Sequence, residues 1–297
     1  MKITVTGSLG HISKPLIQKL IAAGHDVKVV SSTAERASEI EALGAEAAIG
    51  KVEDVTFLSD AFAGADAVYT MIPPTFQTAD WKKHIATIGA NYTEALRNSG
   101  VKSVVNLSSI GAHLPEGCGP VSGLYYAEKS LNSLVEVNIK HLRPGFFYYN
   151  FYSNIPLIQN MGILGSNYGA DVRLLMADVS EIAEAAFEEL NTLQFEGKSH
   201  RYIVSDIRTP QEVAKAIGHE IGKPDLKWVQ FSDNDLLNAM VQQGLPHEIA
   251  ANFVEMGAAV NSGKMFEDYK SDQPTGKIRI EDFAKEFARA YAAPVEH

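Results

Sequence analysis

The chain has 297 residues, of which 45% are hydrophobic and 21% are charged. This composition supports a complete core and excludes a disordered protein. The 36 acidic side chains outnumber the 26 basic ones, which gives a net charge of −10 and disfavours nucleic acid and anionic membranes as partners.

No leader and no membrane span are predicted, because Met1-Lys2 leads directly into a strand and no apolar run approaches about 18 residues. A single cysteine, Cys118, excludes an internal disulfide. The histidines are scattered without short ligand spacings, so we predict no metal site. We therefore expect a cytoplasmic protein that acts on a small molecule, as either a monomer or a homodimer.

The start of the chain predicts a strand, a glycine-containing turn and a helix. Residues 2–6 are largely β-branched, and Ile12, Leu16 and Leu20 recur at helical spacing. Between them, Gly7 permits a sharp turn, and Gly10, which lacks a Cβ, lets a pyrophosphate approach the backbone. The helix N-terminus would offer N–H groups and a positive dipole end to that phosphate.

We therefore predict a dinucleotide phosphate loop over residues 6–13, although ordinary strand–helix turns can share its glycine pattern. The residues of this loop that we expect to contact the cofactor are Gly7, Ser8, Leu9, Gly10, His11 and Ile12.

Strands and helices alternate after the loop. The sequence predicts strands over 27–30, 45–49, 67–71, 102–107 and ending at 144, with helices over 34–43, 55–62, 81–99 and 125–137. Such alternation indicates an α/β fold, a Rossmann-type doubly wound parallel sheet with right-handed crossovers. Its ligand cleft should lie at the carboxyl ends of the first and fourth strands.

Beyond Pro144 the alternation breaks at an aromatic block, FFYYNFY, over residues 146–152. The block either fills the core between two lobes or lines a pocket for a flat, apolar substrate. A helix over 178–190 and a strand over 202–204 follow, and the stretch from Thr209 is mostly helical. We predict an NAD(P)-binding domain over 1–145 and a smaller, mostly helical cap lobe over 146–297, with some strands and a helix returning to the first domain.

Four segments carry a resemblance to a known family. They are Thr6-Gly7-Ser8-Leu9-Gly10, Met71-Ile72-Pro73-Pro74, Leu107-Ser108-Ser109-Ile110-Gly111 and Leu142-Arg143-Pro144-Gly145-Phe146-Phe147. In this order and spacing they resemble the NmrA-like family of atypical short-chain dehydrogenases/reductases, over nearly the whole chain. That family includes NAD(P)-binding redox sensors, quinone and azo-dye reductases and relatives of isoflavone reductases.

The resembling segments add further expected contacts. On the cofactor side they are Met71, Ile72, Pro73 and Ser108, and on the substrate side Ile110, Phe146, Phe147 and Tyr148.

The choice of cofactor depends on the residues after the second strand. Ser31, Ser32 and Thr33 stand where a carboxylate would bind the ribose 2′-OH of NAD. Their hydroxyls can donate to a 2′-phosphate and Arg36 can neutralise it, so NADP(H) is favoured while NAD(H) stays possible. Arg36 could instead be a solvated helix residue that pairs with Glu35 or Glu39.

Tyr125 and Lys129 form a Tyr-x-x-x-Lys pair, which places both side chains on one face of the predicted helix. Lys129 would hold the nicotinamide ribose and Tyr125 would exchange a proton with a carbonyl, while Ser108 or Ser109 would hold the carbonyl oxygen. The alternative is a chance pair, since NmrA-like proteins often lack the active tyrosine. Hydride would then pass to a quinone without an enzymic acid.

Three functions are compatible with these patterns. The first is an NAD(P)H-dependent oxidoreductase that reduces a small planar acceptor such as a quinone. The second is a non-catalytic NADP(H)-sensing regulatory protein that binds a protein partner, and the third is a sugar-nucleotide epimerase-like enzyme. We expect Cys118 to be an incidental loop cysteine and His113 a surface histidine.

Overall fold

Seven parallel strands form the central sheet of the computed structural model, which describes residues 1–293. The strands of the chain are β1 (Lys2–Val5), β2 (Asp26–Ser31), β3 (Glu46–Ile49), β4 (Ala67–Thr70), β5 (Ser103–Leu107), β6 (Asn138–Pro144), β7 (Phe146–Phe147), β8 (Ile163–Ser166), β9 (Leu174–Ala177), β10 (Lys198–Ile203), β11 (Asp206–Arg208) and β12 (Lys227–Gln230). The central sheet has the order β10-β6-β5-β4-β1-β2-β3. Its direction of winding reverses between β1 and β4, so the ligand crevice lies at the carboxyl ends of these two strands.

Helices cover both faces of this sheet. They are α1 (Ser13–Ala22), α2 (Ala37–Ala42), α3 (Val55–Phe62), α4 (Trp81–Ser99), α5 (Pro120–Asn132), α6 (Ile155–Met161), α7 (Val179–Thr192), α8 (Pro210–Glu220), α9 (Asp233–Gln242), α10 (His247–Asn261) and α11 (Ile280–Ala292). Buried side chains of α1 and α7 pack on one face of the sheet, and those of α3, α4 and α5 pack on the other. The predicted doubly wound Rossmann-type α/β fold is confirmed.

Local signals explain where α4 begins and ends. The Asp80 side chain accepts the Lys83 N–H (2.9 Å) and so caps the first turn. Gly100 has a left-handed backbone (φ +75°) and ends the helix, as glycine commonly does. Between them the predicted apolar face, which includes Ile88 and Tyr92, is buried.

Helix α5 begins five residues earlier than predicted and ends at Asn132 rather than near Val137. Pro120 occupies its first turn, where the missing N–H has no cost and the fixed φ favours the helix. Leu134 and Val137 are buried, but they lie in the connection to β6 rather than in the helix. The prediction extended the helix to Val137 because these apolar residues continue its spacing, although the helix itself ends at Asn132.

The chain after residue 146 forms a second core. Strands β7, β9 and β11 form a three-stranded sheet, and β8 pairs with β12. Strand β10 joins the central sheet beside β6, and α7 packs against α1, so this part of the chain returns to the first sheet. The division at residue 145 stays a prediction, and residues 294–297 of the predicted cap lie outside the described residues. Within residues 1–293, no helix is long and apolar enough to cross a bilayer.

Candidate functional site

The turn after β1 has a backbone that requires glycine at its first position. Gly7 has φ +92°, and a Cβ there would lie 2.6 Å from Met71 Cγ and 2.7 Å from Ser13 Oγ. The Met71 N–H donates to Thr6 Oγ1 (2.8 Å), which joins the end of β4 to the end of β1. The chain therefore turns tightly at the crevice, with Met71 packed against the turn.

The second glycine of the loop is less crowded than the first. A Cβ added to Gly10 would meet only the Gly7 carbonyl oxygen, at 3.3 Å. In the described part of the chain, the N–H groups of Leu9, His11 and Ile12 donate to no acceptor. Free amides at the N-terminus of α1 and an open backbone are what a pyrophosphate needs, so the loop fits a dinucleotide.

A hydroxyl and guanidinium cluster lies beside this loop. Ser8 Oγ donates to Ser31 Oγ (2.9 Å), and Arg36 donates from Nη1 to Ser8 Oγ (3.2 Å). Ser32 and Thr33 are exposed next to them. Among residues 1–293, Arg36 pairs with neither Glu35 nor Glu39, because Glu39 binds Lys14 instead (2.8 Å). The donors expected around a 2′-phosphate are thus together, and no carboxylate stands in the cluster.

The aromatic block contributes one exposed ring to the loop. Tyr149 is 45% exposed, and its ring lies 4.4 Å from the ring of His11, centroid to centroid. Phe146 and Phe147 are half-buried. Tyr149 was not among the residues predicted for the site, although the block that contains it was.

Two residues predicted for the substrate pocket have to be corrected. Tyr148 is only 1% exposed, stacks on Phe283 and donates its hydroxyl to the Ile278 carbonyl (3.1 Å). Burial raises the pKa of Tyr148 far above its usual range. Ile110 is 0% exposed in the same apolar cluster. Both are core residues and do not line an open pocket.

The serines after β5 use their hydroxyl protons internally. Ser108 Oγ donates to Glu128 Oε1 (2.5 Å), and Ser109 Oγ donates to the Ile110 carbonyl (2.9 Å). A hydroxyl has a single proton, so neither serine can donate to a substrate carbonyl from this position. This differs from the expectation that one of them holds a carbonyl oxygen.

Glu128 belongs to a buried polar network that spacing did not reveal. Arg143 donates from Nη2 to Glu128 Oε2 (2.6 Å) and from Nε to Oε1 (3.0 Å). It also donates from Nη1 to Asp268 Oδ2 (3.2 Å), which accepts a hydrogen bond from Tyr202 as well. Burial and the Asp268 carboxylate raise the pKa of Tyr202 to about 12. The network ties β5, α5, β6 and β10 to the C-terminal region.

Tyr125 and Lys129 lie together, on the side of α5 that faces away from α4. Helix α5 turns Ala127 and Ser130 toward α4, where a Cβ on Gly89 would overlap Ala127. At 100° per residue, Tyr125 and Lys129 lie on the other side. They line a groove of about 540 Å³ with Ala112, His113, Glu128, Asn132, Ser133 and Arg143. No phosphate-loop residue lines this groove, and Lys129 is exposed without a hydrogen bond or ion pair to any described residue.

A buried polar row crosses three strands beneath this groove. Thr70 donates to Asn106 Oδ1 (2.8 Å), so the Asn106 amide donates to His141 Nδ1 (3.0 Å). His141 Nε2 then donates to Asn132 Oδ1 (3.0 Å), and Asn132 also lines the groove. Burial lowers the pKa of His141 to about 4, so the ring is neutral at pH 7.

With the geometry established, comparison with known proteins assigns the family. The model of the NmrA-like family matches residues 1–285. The chain belongs to the NmrA-like family. The predicted resemblance is thereby confirmed.

Known relatives of this NmrA-like protein include reductases and a regulator. The NAD(P)H azoreductase of Xenophilus azovorans is 24% identical over 258 residues, which is 86% of each chain. The structure of the NADPH-dependent quinone oxidoreductase of Escherichia coli, complexed with NADPH, has a TM-score of 0.82 at 19% identity, over 96% of this chain and 99% of that one. NmrA, a negative transcriptional regulator in complex with NADP, has a TM-score of 0.70 at 16% identity, over 96% and 90% of the two chains.

Cys118 and His113, the two remaining candidate residues of the NmrA-like protein, are both at least half-buried. Cys118 is fully buried, and burial raises the pKa of its thiol to about 12, so it is not a ready nucleophile. His113 is not a free surface residue, because its half-buried ring lies in the groove wall with Nε2 3.4 Å from Glu267 Oε1.

Proposed function

We propose that this NmrA-like protein is an NADP(H)-dependent reductase that delivers a hydride to a small planar acceptor such as a quinone. The observation that carries the proposal is the contact of Arg36 with Ser8 beside Ser31, in a cluster without a carboxylate. It stands next to the open glycine loop, where the pyrophosphate of the same cofactor would bind. The azoreductase and quinone oxidoreductase relatives support the reductase class.

The chain offers separate groups for each part of the cofactor. The free amides of Leu9, His11 and Ile12 would hold the pyrophosphate, and Arg36 with the exposed hydroxyls of Ser32 and Thr33 would hold the 2′-phosphate. The segment that begins at Met71 packs against Gly7, and it continues through Ile72 and Pro73 along the crevice. We propose this segment as the wall of the nicotinamide site.

The bound cofactor supplies a hydride, which carries two electrons and one proton. The protons of Ser108 and Ser109 are used in internal hydrogen bonds, and Tyr125 lies in a groove that no phosphate-loop residue lines. Neither serine can therefore act as the acid for a carbonyl, and we propose that Tyr125 does not do so either. An acceptor such as a quinone, which takes its second proton from water, suits this arrangement better than a ketone.

Oxidation of NADPH in air, followed against a panel of quinones and azo dyes, tests the proposal. We expect consumption that requires both the protein and an acceptor. Tight NADPH binding without consumption for any acceptor would overturn it.

A sensor of NADP(H) is the second candidate. The same lack of a positioned acid favours it, and the regulator NmrA has a similar fold with NADP bound. Its signature would be nucleotide binding that changes the affinity for a protein partner while no acceptor is reduced. The epimerase alternative needs Tyr125 and Lys129 beside the nicotinamide, and the groove that they line contains no residue of the phosphate loop.

A further inference from the structure

Three aromatic rings meet edge to face between the central sheet and the C-terminal helices. Phe76 lies in the segment between β4 and α4, Trp81 is the first residue of α4, and Phe253 belongs to α10. The ring centroids are 5.5 Å apart for Phe76 and Trp81, 5.9 Å for Phe76 and Phe253, and 5.2 Å for Trp81 and Phe253. Such edge-to-face pairs are the favoured aromatic geometry, so the trio is ordered rather than accidental.

The rings of Trp81 and Phe253 pack against other apolar side chains. Trp81 is buried with Ile85 and Ile249, and Ile72, Leu124, Leu245 and Phe253 pack around them. Glu248 accepts a hydrogen bond from the backbone N–H of Trp81 (3.3 Å), and Lys82 pairs with Glu255 (2.5 Å), which fixes α4 against α10. Phe76 alone presents its ring, at 46% exposure, on this fixed base.

The trio is connected to the phosphate loop by a short segment. Residue 71 packs against Gly7, and residue 72 packs against Trp81 and its neighbours. Strand β4 lies beside β1, so the segment leaves the sheet at the crevice edge. Of the charged side chains that hold α4 against α10, Lys82 and Glu255 pair with each other, and Glu248 accepts hydrogen bonds from the backbone N–H of Trp81 and from Asn252. The site is therefore aromatic and is joined to the cofactor loop by one short segment.

We propose that Phe76, supported by Trp81 and Phe253, is the aromatic contact for the planar ring of the acceptor and selects aromatic over aliphatic acceptors. The inference rests on the reductase function proposed above. An electron-poor quinone ring is attracted to the electron-rich face of a phenyl ring, and the fixed base means that little side-chain freedom is lost on binding.

Trp81 supplies a readout that does not depend on turnover. The other tryptophan, Trp228, is buried against Tyr168 in the C-terminal core (5.0 Å between centroids), and Trp228→Phe leaves Trp81 as the single emitter. In that background, with oxidised NADP present so that no hydride moves, 1,4-naphthoquinone should quench the Trp81 emission saturably. Phe76→Ala should raise the half-saturating concentration about 2- to 12-fold, the range for one aromatic pair.

Matched variants make the result specific. Phe76→Tyr keeps the ring and should restore the wild-type half-saturation. Tyr126→Ala removes an equally exposed ring (47%) from the outer side of α5 and should leave it unchanged. The KM for naphthoquinone should rise with the half-saturation in Phe76→Ala, while the KM for NADPH stays the same.

The outcomes separate the subsite from the function. Unchanged half-saturation and KM in Phe76→Ala, with naphthoquinone still reduced, would overturn the subsite and leave the reductase intact. Quenching that depends on Phe76 in a protein that consumes no NADPH would support the subsite and overturn the reductase.

Discussion

At the scale of single residues, the two loop glycines have different physical roles. Gly7 is required by a left-handed φ and by the Met71 and Ser13 side chains against it, whereas a Cβ on Gly10 would meet only the Gly7 carbonyl oxygen, at 3.3 Å. Gly7→Ala should therefore lower the free energy of unfolding, by strain and overlap. Gly10→Val should leave the fold intact and abolish NADPH binding, because its branched side chain would occupy the place of the pyrophosphate. Urea denaturation and calorimetric titration measure the two effects, and wild-type NADPH affinity in Gly10→Val would remove the loop from the site.

Arg36 should decide between the two nicotinamide cofactors. Within residues 1–293, the guanidinium of Arg36 hydrogen-bonds to the Ser8 side chain and forms no ion pair, so it is available to a 2′-phosphate. A charge-assisted hydrogen bond contributes about 1.5–3 kcal/mol, so Arg36→Ala should weaken NADPH binding about 10- to 150-fold and leave NADH binding unchanged. Titration of both cofactors checks this, with Lys14→Ala as the neighbouring cation control. Equal losses for NADPH and NADH would exclude Arg36 from the 2′-phosphate site.

At the scale of secondary-structure elements, the Glu128–Arg143 pair fixes α5 to β6. Removing one member of a buried pair leaves an uncompensated charge and typically costs about 3–5 kcal/mol. We expect Arg143→Met to lower the free energy of unfolding by that amount, and Glu128→Gln/Arg143→Met to recover part of it. The exposed Lys102–Glu136 pair is the control, and Lys102→Ala should have no measurable effect. Equal stability of Arg143→Met and the wild-type protein would show that the pair does not hold these elements together.

The polar row under α5 predicts a pH dependence of stability. Burial lowers the pKa of His141 from 6.5 to about 4, so between these values the unfolded chain binds more protons than the folded one. The contribution of His141 to the free energy of unfolding is fully present above about pH 6.5. It is lost as the pH falls toward 4, by about 3 kcal/mol in total. Replacing the ring by an amide in His141→Gln should flatten the pH profile of urea unfolding over that range. An unchanged slope would contradict the assignment.

At the scale of the whole molecule, local sequence signals account for more of the fold than of the site. The glycine turn, the alternation of strands and helices and the buried face of α4 each follow from spacings within about twenty residues, and they were predicted. The Glu128–Arg143 pair joins a helix to the following strand, and the trio joins the start of α4 to Phe253 of α10. Neither contact is part of a periodic pattern in the sequence. From the sequence, Tyr148 and Ile110 cannot be told apart from residues that line a pocket. In the structure, packing against the C-terminal helices buries both side chains.

The position of Tyr125 illustrates the same limit. Four-residue spacing correctly places Tyr125 and Lys129 on one helical face, but it does not say which way that face points. The close packing of Gly89 on Ala127 turns the pair away from α4 and into the groove beside β6. The direction in which this face of α5 points is set by the packing of α5 on α4, and the spacing of residues within α5 does not contain that information.

The central claim is hydride delivery from NADPH to a planar acceptor without an enzymic acid. Steady-state oxidation of NADPH with a naphthoquinone, measured for wild-type protein and for Tyr125→Phe, tests it most directly. We predict acceptor-dependent oxidation by the wild type and a rate in Tyr125→Phe within about 2-fold of it, far from the 10²- to 10⁴-fold range for loss of a general acid. No oxidation by the wild type, or a fall of that larger size in Tyr125→Phe, would contradict the claim.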